Sequence, residues 1–365
     1  MSISSAPDAN NVPLYTLRNA HDMRVTISAR GATLISWWSP DRYGRVADVL
    51  LGYPDPADYA DNSKCYFGAI VGRWANRIAN GRFSLDGADF VVDRNNGVNH
   101  LHGGDTGFHQ ALWQGRIEGD ALRLTLESPD GDGGYPGNLQ AEVCYRLGDD
   151  GALSIDYTAT SDAPTPINLT SHGYFNLNGG SADIGDHLLT IEADAYLQTD
   201  AGLIPTAAGP APVAGTAFDF RQPAPIGPRL GWPDPQIALA GGFDHCFCLR
   251  EASSTGNAPK SSIGTPDSPA RPLREVARVY DPGTGRQLSV ATTETGLQFY
   301  SGNFLAGVKG RGPAPYAIHS GFCLETQAWP NQVNGPDAEA VILRPGKIYR
   351  QTTVYQLGVQ GEQPA

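Results

Sequence analysis

Positive charge is scarce in this sequence. Its 26 Lys and Arg stand against 38 Asp and Glu, a formal net charge of −12. No basic stripe is available to displace counterions from a polyanion, which excludes nucleic acid as the expected partner. Long apolar runs are missing as well: nowhere do about 18 apolar residues follow one another, the length a membrane-crossing helix needs. The cysteines (Cys65, Cys144, Cys246, Cys248 and Cys323) are odd in number, scattered and without a C-x-x-C pair. That argues against a disulfide framework and for reduced, mostly buried thiols in a cytoplasmic protein. The N-terminus, MSISSAPDANNVPLY, lacks a basic start followed by an apolar stretch; with Met1 native it is not a secretory signal. G-x-G-x-x-G, a Walker loop, G-x-S-x-G and H-E-x-x-H are all absent, so nothing asks for a nucleotide, a metal or a serine nucleophile.

What the chain does have is turns and alternation. Gly and Pro together supply 44 and 28 residues, the composition of many short strands joined by tight turns. Period-2 alternation recurs in Arg24–Ser28, Leu122–Leu126 and Leu153–Tyr157, bounded by turns such as Asp130-Gly131, Asp132-Gly133 and Asp150-Gly151, and these segments are expected to be half-buried strands. Strand following strand without intervening helices predicts an all-β protein of antiparallel sheets packed face to face. The whole of 1–365 is read as one domain. One Ser/Pro/Gly-rich stretch, 251–274, has almost nothing to bury and is expected to be a surface loop or disordered insertion between two strands.

Polar residues that could do chemistry concentrate in a few segments. In Ile167–Leu177, period 2 puts Asn168, Thr170, His172, Tyr174 and Asn176 on one face, a surface suited to a polyhydroxylated ligand or, alternatively, an ordinary solvated sheet face. The loop 95–104 (NNGVNHLHGG) carries His100 and His102 among glycines that permit close backbone approach. No carboxylate or cysteine cluster accompanies them, so a hydrogen-bond donor to a ligand is preferred over a metal site, and a structural role stays open. In Phe322–Gln327, alternation places Cys323, Glu325 and Gln327 on one face. Desolvation there would raise the Glu325 pKa and suit a general base, though a strand glutamate is also commonly just exposed. Asp244 and His245, being adjacent in a strand, point to opposite faces and cannot both serve one site. Asn76 and Arg77 offer long donors for sugar hydroxyls, or a surface turn with a salt bridge.

These segments, in order over nearly the whole chain, resemble the aldose 1-epimerase (mutarotase) family: GRWANRIANGRF (72–83), NNGVNHLHGG (95–104), NLTSHGYFNLNG (168–179), GFDHCF (242–247), GLQFYSGNF (296–304) and CLETQ (323–327). The resemblance implies a large antiparallel β-sandwich, the galactose mutarotase-like supersandwich, with an open sugar-binding cleft and no cofactor. It implies interconversion of the α and β anomers of a free aldohexose or aldopentose by a monomer or homodimer. His172 is implied as general acid and Glu325 as general base, with Asn76, Arg77, His102, Tyr174, Asp244 and Gln298 holding the sugar and no metal. A bell-shaped pH profile follows, its limbs expected to report ionised Glu325 and protonated His172. His100 departs from the family pattern and is left outside the site. Two other readings use the same residues: a non-catalytic sugar sensor, and a glycoside hydrolase pairing Asp244 with Glu325.

Overall fold

The alternating segments fold as antiparallel strands because one side of each is apolar. Val25 and Ile27 of Arg24–Ser28, Leu122 and Leu124 of Ala121–Ser128, and Leu153, Ile155 and Tyr157 of Ala152–Ser161 are fully buried. The computed structural model describes residues 1–251 and 261–360. Three larger sheets organise it. An N-terminal sheet runs Ser2–Pro7, Pro13–Arg18, Arg24–Ser28, Thr33–Pro40, Val46–Asp48. The largest sheet follows the order Gln114–Glu118, Ala121–Ser128, Leu139–Leu147, Ala152–Ser161, Ile348–Val359, Arg286–Thr292, Arg274–Tyr280, Leu188–Ile191, Ala224–Pro225. A third sheet has the order Pro205–Pro212, Ala193–Thr199, Asp244–Leu249, Gly296–Tyr300, Cys323–Gln327. One apolar core joins them, drawing on Leu17, Trp37, Val143, Ile155, Phe247, Leu324 and Tyr355. This is the sandwich of stacked antiparallel sheets that the alternation predicts. Among the described residues no helix is long and apolar enough to cross a membrane.

The third sheet positions the site, and its last strand, Cys323–Gln327, is an edge strand that nonetheless lies inside the protein, every residue buried. Buried edge carbonyls need partners, and the largest sheet supplies them as side chains. Tyr355 Oη donates to the Leu324 carbonyl at 2.8 Å, and Gln351 Nε2 donates to the Thr326 carbonyl at 2.9 Å. Leu324 and Thr326 therefore face the large sheet, and Cys323, Glu325 and Gln327 face the other way.

Part of the Ser/Pro/Gly-rich stretch falls among the described residues. Its residues 252–260 lie outside the described residues; beyond them, Ile263–Gly264 pairs with Ile348 and Tyr349 at the large sheet. Arg271 is buried and donates through Nε to the Thr293 carbonyl at 2.7 Å. Among its described residues Arg271 alone is buried, and the stretch is docked by that arginine and by backbone pairing.

Candidate active site

Register brings the site's acidic and amide groups together. Cys246 pairs with Gln298, Gln298 with Glu325, and Asp244 with Tyr300, which in turn pairs with Cys323. Period 2 then sets Asp244, Gln298, Cys323 and Glu325 on one face of three adjacent strands. Gln298 Nε2 donates to Asp244 Oδ1 at 2.7 Å, and Arg77 Nη1 reaches Asp244 Oδ2 at 3.6 Å. His245 faces away as expected, its Nε2 3.2 Å from Gln236 Oε1 and its ring against Phe218.

Asn76, Arg77 and His102 arrive from two loops locked to one another. Leu101 pairs with Arg77. The His102 amide donates to the Asn76 carbonyl at 3.2 Å, and the Asn76 amide donates to His102 Nδ1 at 3.1 Å. Gly103 (φ +89°) makes this closeness possible: a Cβ there would lie 1.8 Å from the Gly72 carbonyl oxygen. Arg77 is aimed by Asn96, whose Oδ1 accepts from Nε at 3.0 Å.

His172 comes from Ile167–Leu177, which departs from the expected single strand. Only Thr170–Ser171 is strand, and all eleven residues from Ile167 to Leu177 are buried. The polar face is therefore not solvated, and its members divide. Asn168 and Asn176 brace the backbone: Asn168 Oδ1 accepts from the Ala328 amide at 2.9 Å, and Asn176 Nδ2 donates to the Ala182 and Ser320 carbonyls at 2.8 Å each. His172 and Tyr174 face the cluster. The His172 ring lies between Tyr174 (5.1 Å, 23°) and Tyr66 (5.8 Å, 25°), with His102 edge-on at 5.1 Å. Its Nε2 is 3.8 Å from Glu325 Oε1.

This pair is dry. Glu325 is 2 % exposed and His172 5 %. Burial, reinforced by the Asp244 carboxylate and opposed by Arg77, holds the Glu325 carboxyl well above its usual range. Burial also pushes His172 down to about 4, its own carbonyl opposing and His109 adding to the shift. Both shifts disfavour the charged form of their own group. On the face of Glu325, Glu325 Oε2, Gln298 Oε1 and Gln327 Oε1 are buried without a protein partner among the described residues. Leaving such groups unpaired costs about 1–3 kcal/mol each, a cost that a ligand bearing hydroxyls removes. Donor atoms of His102, His172 and Glu325 also lie within 4.8 Å of one another. Because His102 Nδ1 is occupied as an acceptor, the neutral ring carries its proton on Nε2. That makes His102 a hydrogen-bond donor to the site and a poor metal ligand.

The sequence profile of the aldose 1-epimerase family matches residues 13–356. The chain belongs to that family. It is 46 % identical to the galactose mutarotase of Sus scrofa, covering 96 % of this chain and 95 % of that protein. It is 43 % identical to the aldose 1-epimerase of Escherichia coli K12, covering 96 % of both. The crystal structure of an aldose epimerase homologue from C. elegans superimposes with a TM-score of 0.83 at 26 % identity, covering 98 % of this chain and 100 % of that one. The protein is an isomerase that interconverts the anomers of an aldose.

All eight residues singled out from this family's motifs fall in one contact network: His172, Glu325, Asn76, Arg77, His102, Tyr174, Asp244 and Gln298. His100 lies behind it, Nδ1 2.7 Å from the Asp93 carbonyl and Nε2 2.6 Å from Tyr135 Oη. Sequence reasoning missed Tyr66, which touches His172, His102 and His109 from the left-handed region (φ 55°). No periodicity signals a residue placed by an irregular turn.

The buried imidazoles have a consequence for stability. Burial lowers His100, His109, His172 and His187 to about 4 and His245 to about 3, and holds His102 well below its usual value. Between those values and the unfolded value of about 6.5 the unfolded chain binds more protons, so stability rises with pH there and falls on acidification. Each histidine adds a slope of at most about 1.4 kcal/mol per pH unit. Denaturant midpoints are expected to drop steeply from pH 6.5 to 4.5; a flat profile would contradict buried neutral rings.

Proposed function

We propose that Glu325 and His172 carry the proton transfers of anomer interconversion. The observation that supports this is a histidine–carboxyl pair 3.8 Å apart and dry, on the face that also carries the unpaired amide oxygens of Gln298 and Gln327. Ring opening takes the proton from the C1 hydroxyl and places one on the ring oxygen. In the form with ionised Glu325 and charged His172, the carboxylate accepts the first and Nε2 donates the second. What remains is the neutral pair facing an open-chain aldehyde, the state that burial favours in the free protein. After rotation about C1–C2 the transfers reverse, Glu325 returning its proton to O1 and His172 taking one from O5. No net proton is consumed, and each group contributes roughly 10²–10⁴-fold.

Arg77, Asn76, His102, Asp244 and Gln298 hold the hydroxyls, so that the rotating aldehyde stays in place. Tyr174, expected to contact the sugar, is set to support it through the His172 ring on which it stacks. Asp244 is engaged by Gln298 and Arg77, which disfavours its use as a hydrolase acid. The substrate is an aldohexose such as galactose, the sugar named in the mammalian relatives. The chain acts as one domain in the cytoplasm, as a monomer or homodimer, and chelators leave its rate unchanged. Polarimetry on freshly dissolved α-anomers of galactose, glucose, xylose and arabinose tests the activity; mutarotation no faster than in buffer would refute it.

The pH profile of kcat/KM carries a sharper test. The free pair is active with one proton and inactive with two or none. Since burial lowers His172 to about 4 and raises Glu325, the acid limb reports a second proton reaching His172. The alkaline limb reports the loss of the Glu325 proton. This reverses the order expected from ordinary pKa values.

A further inference from the structure

The segment GLQFYSGNF (296–304) supplies Gln298 to the site, and its last residue has no part in the chemistry above. Phe304 is 68 % exposed, the most exposed large apolar side chain among the described residues. Its turn is nonetheless held firmly. The Phe304 amide donates to Tyr300 Oη at 2.9 Å, and Asn303 Nδ2 donates to the Ala240 and Phe243 carbonyls at 3.0 and 3.1 Å. Between a buried Asn303 and a buried Leu305, the phenylalanine ring is left in solvent. It stacks on Tyr300, with centroids 6.3 Å apart and 25° between the planes. Tyr300 lies in register between Asp244 and Cys323, on the site's face of the sheet, and meets Tyr174 edge-on at 5.9 Å. Tyr174 in turn stacks on His172. A file of aromatic rings thus leads from the imidazole to the surface and ends on an uncovered one.

We infer that Phe304 is a specificity-determining residue that receives the exocyclic C6 group of an aldohexose. The inference rests on the proposed placing of C1 at Glu325 and of the ring oxygen at His172. Past the ring oxygen of a pyranose comes C5, and C5 carries C6. His172 Nε2 lies by Glu325 and its Nδ1 by Cys323, so the path from Glu325 across the imidazole runs toward the Cys323 end of the strand. Tyr300 is the register partner of Cys323 there, and Phe304 stands over Tyr300. Tyr174 and Tyr300 are themselves buried, which leaves the Phe304 ring as the apolar surface open to a ligand at this end. The C5–C6 edge is an apolar part of a hexose, and laying it on the ring takes apolar surface of both partners out of water. A pentose of the same ring configuration has nothing to lay there. Phe304 therefore favours aldohexoses over aldopentoses.

A binding measurement that needs no turnover tests this. In wild-type protein labelled with ¹³C-phenylalanine, the Phe304 ring signals are identified by their loss in Phe304→Ala. They are expected to move when galactose or D-fucose (6-deoxygalactose) is added, and to stay in place with L-arabinose, which has the ring hydroxyls of galactose and no C6. No movement with any of the three sugars, or equal movement with all three, would overturn the inference. Rates give a second readout. In Phe304→Ala, kcat/KM is expected to fall roughly three- to tenfold for galactose and D-fucose, the worth of one or so buried methylenes, and to change less than about twofold for L-arabinose. An equal loss on all three sugars would make Phe304 a support for Tyr300 and refute the specificity role. Phe304→Leu keeps apolar bulk and is expected to retain most of the preference. Full turnover in Glu325→Gln and His172→Asn would remove the acid–base reading, whereas a Phe304 response confined to sugars with C6 would stand.

Discussion

Glu325→Gln should abolish nearly all turnover while making the protein harder to unfold. The amide keeps the shape of the carboxyl but can neither take the O1 proton nor return it, so kcat is expected to fall by roughly 10²–10⁴-fold. Stability moves the other way. Glu325 is buried, its Oε2 has no partner among the described residues, and its pKa is raised by burial and by Asp244. A group whose folded pKa lies above its unfolded value stabilises most below the unfolded value, and that contribution is lost as pH rises through the folded one. The contribution of Glu325 to wild-type stability therefore declines as pH rises above about 4.5, opposite in sign to that of the buried histidines, and the variant lacks that decline. Unfolding curves at pH 5 and pH 8 should show the variant's advantage growing with pH. A variant less stable at pH 8 than wild type would mean the carboxylate is satisfied in the fold. A stability cost at a reactive group is common where function requires strain or desolvation.

His172→Asn is the complementary case. It removes the acid proposed to serve the ring oxygen, and a loss of roughly 10²–10⁴-fold in kcat is expected, with KM changed much less because Arg77, His102 and Gln298, the proposed partners of the hydroxyls, remain. The two variants also divide the pH profile. Whatever activity remains in His172→Asn needs only ionised Glu325 and should rise with pH to a plateau, the alkaline limb lost. Residual activity in Glu325→Gln needs only charged His172 and should fall as pH rises above about 4, the acid limb lost. Measured kcat/KM profiles with the limbs lost in the opposite sense would contradict Glu325 as base and His172 as acid.

Much of this was legible in the residues. Alternation in Arg24–Ser28, Leu122–Leu126 and Leu153–Tyr157 identifies strands because one side of each meets the core. Alternation also separates Asp244 from His245 and joins Cys323 to Glu325. It fails at Ile167–Leu177, where the backbone is held by bridges from Leu50, Trp74 and Phe322 and by a two-residue pairing of Thr170–Ser171 with Ile70–Val71 instead of by a continuous ladder. Asn168 and Asn176 serve that irregular backbone, and a pattern that only counts polar residues cannot tell them from His172. Tyr66 escapes for the same reason. Which charge state the pair adopts was out of reach too: it depends on burial from every side, and a sequence gives neighbours along one strand only.

The central claim is that a single proton moves between Glu325 and His172 across one sugar ring. A crystal structure of Glu325→Gln with galactose bound tests it most directly. The account predicts the ring oxygen within hydrogen-bond distance of His172 Nε2 and the C1 hydroxyl within hydrogen-bond distance of residue 325. A sugar bound with C1 and the ring oxygen turned away from this pair, or seated elsewhere on the protein, would contradict it.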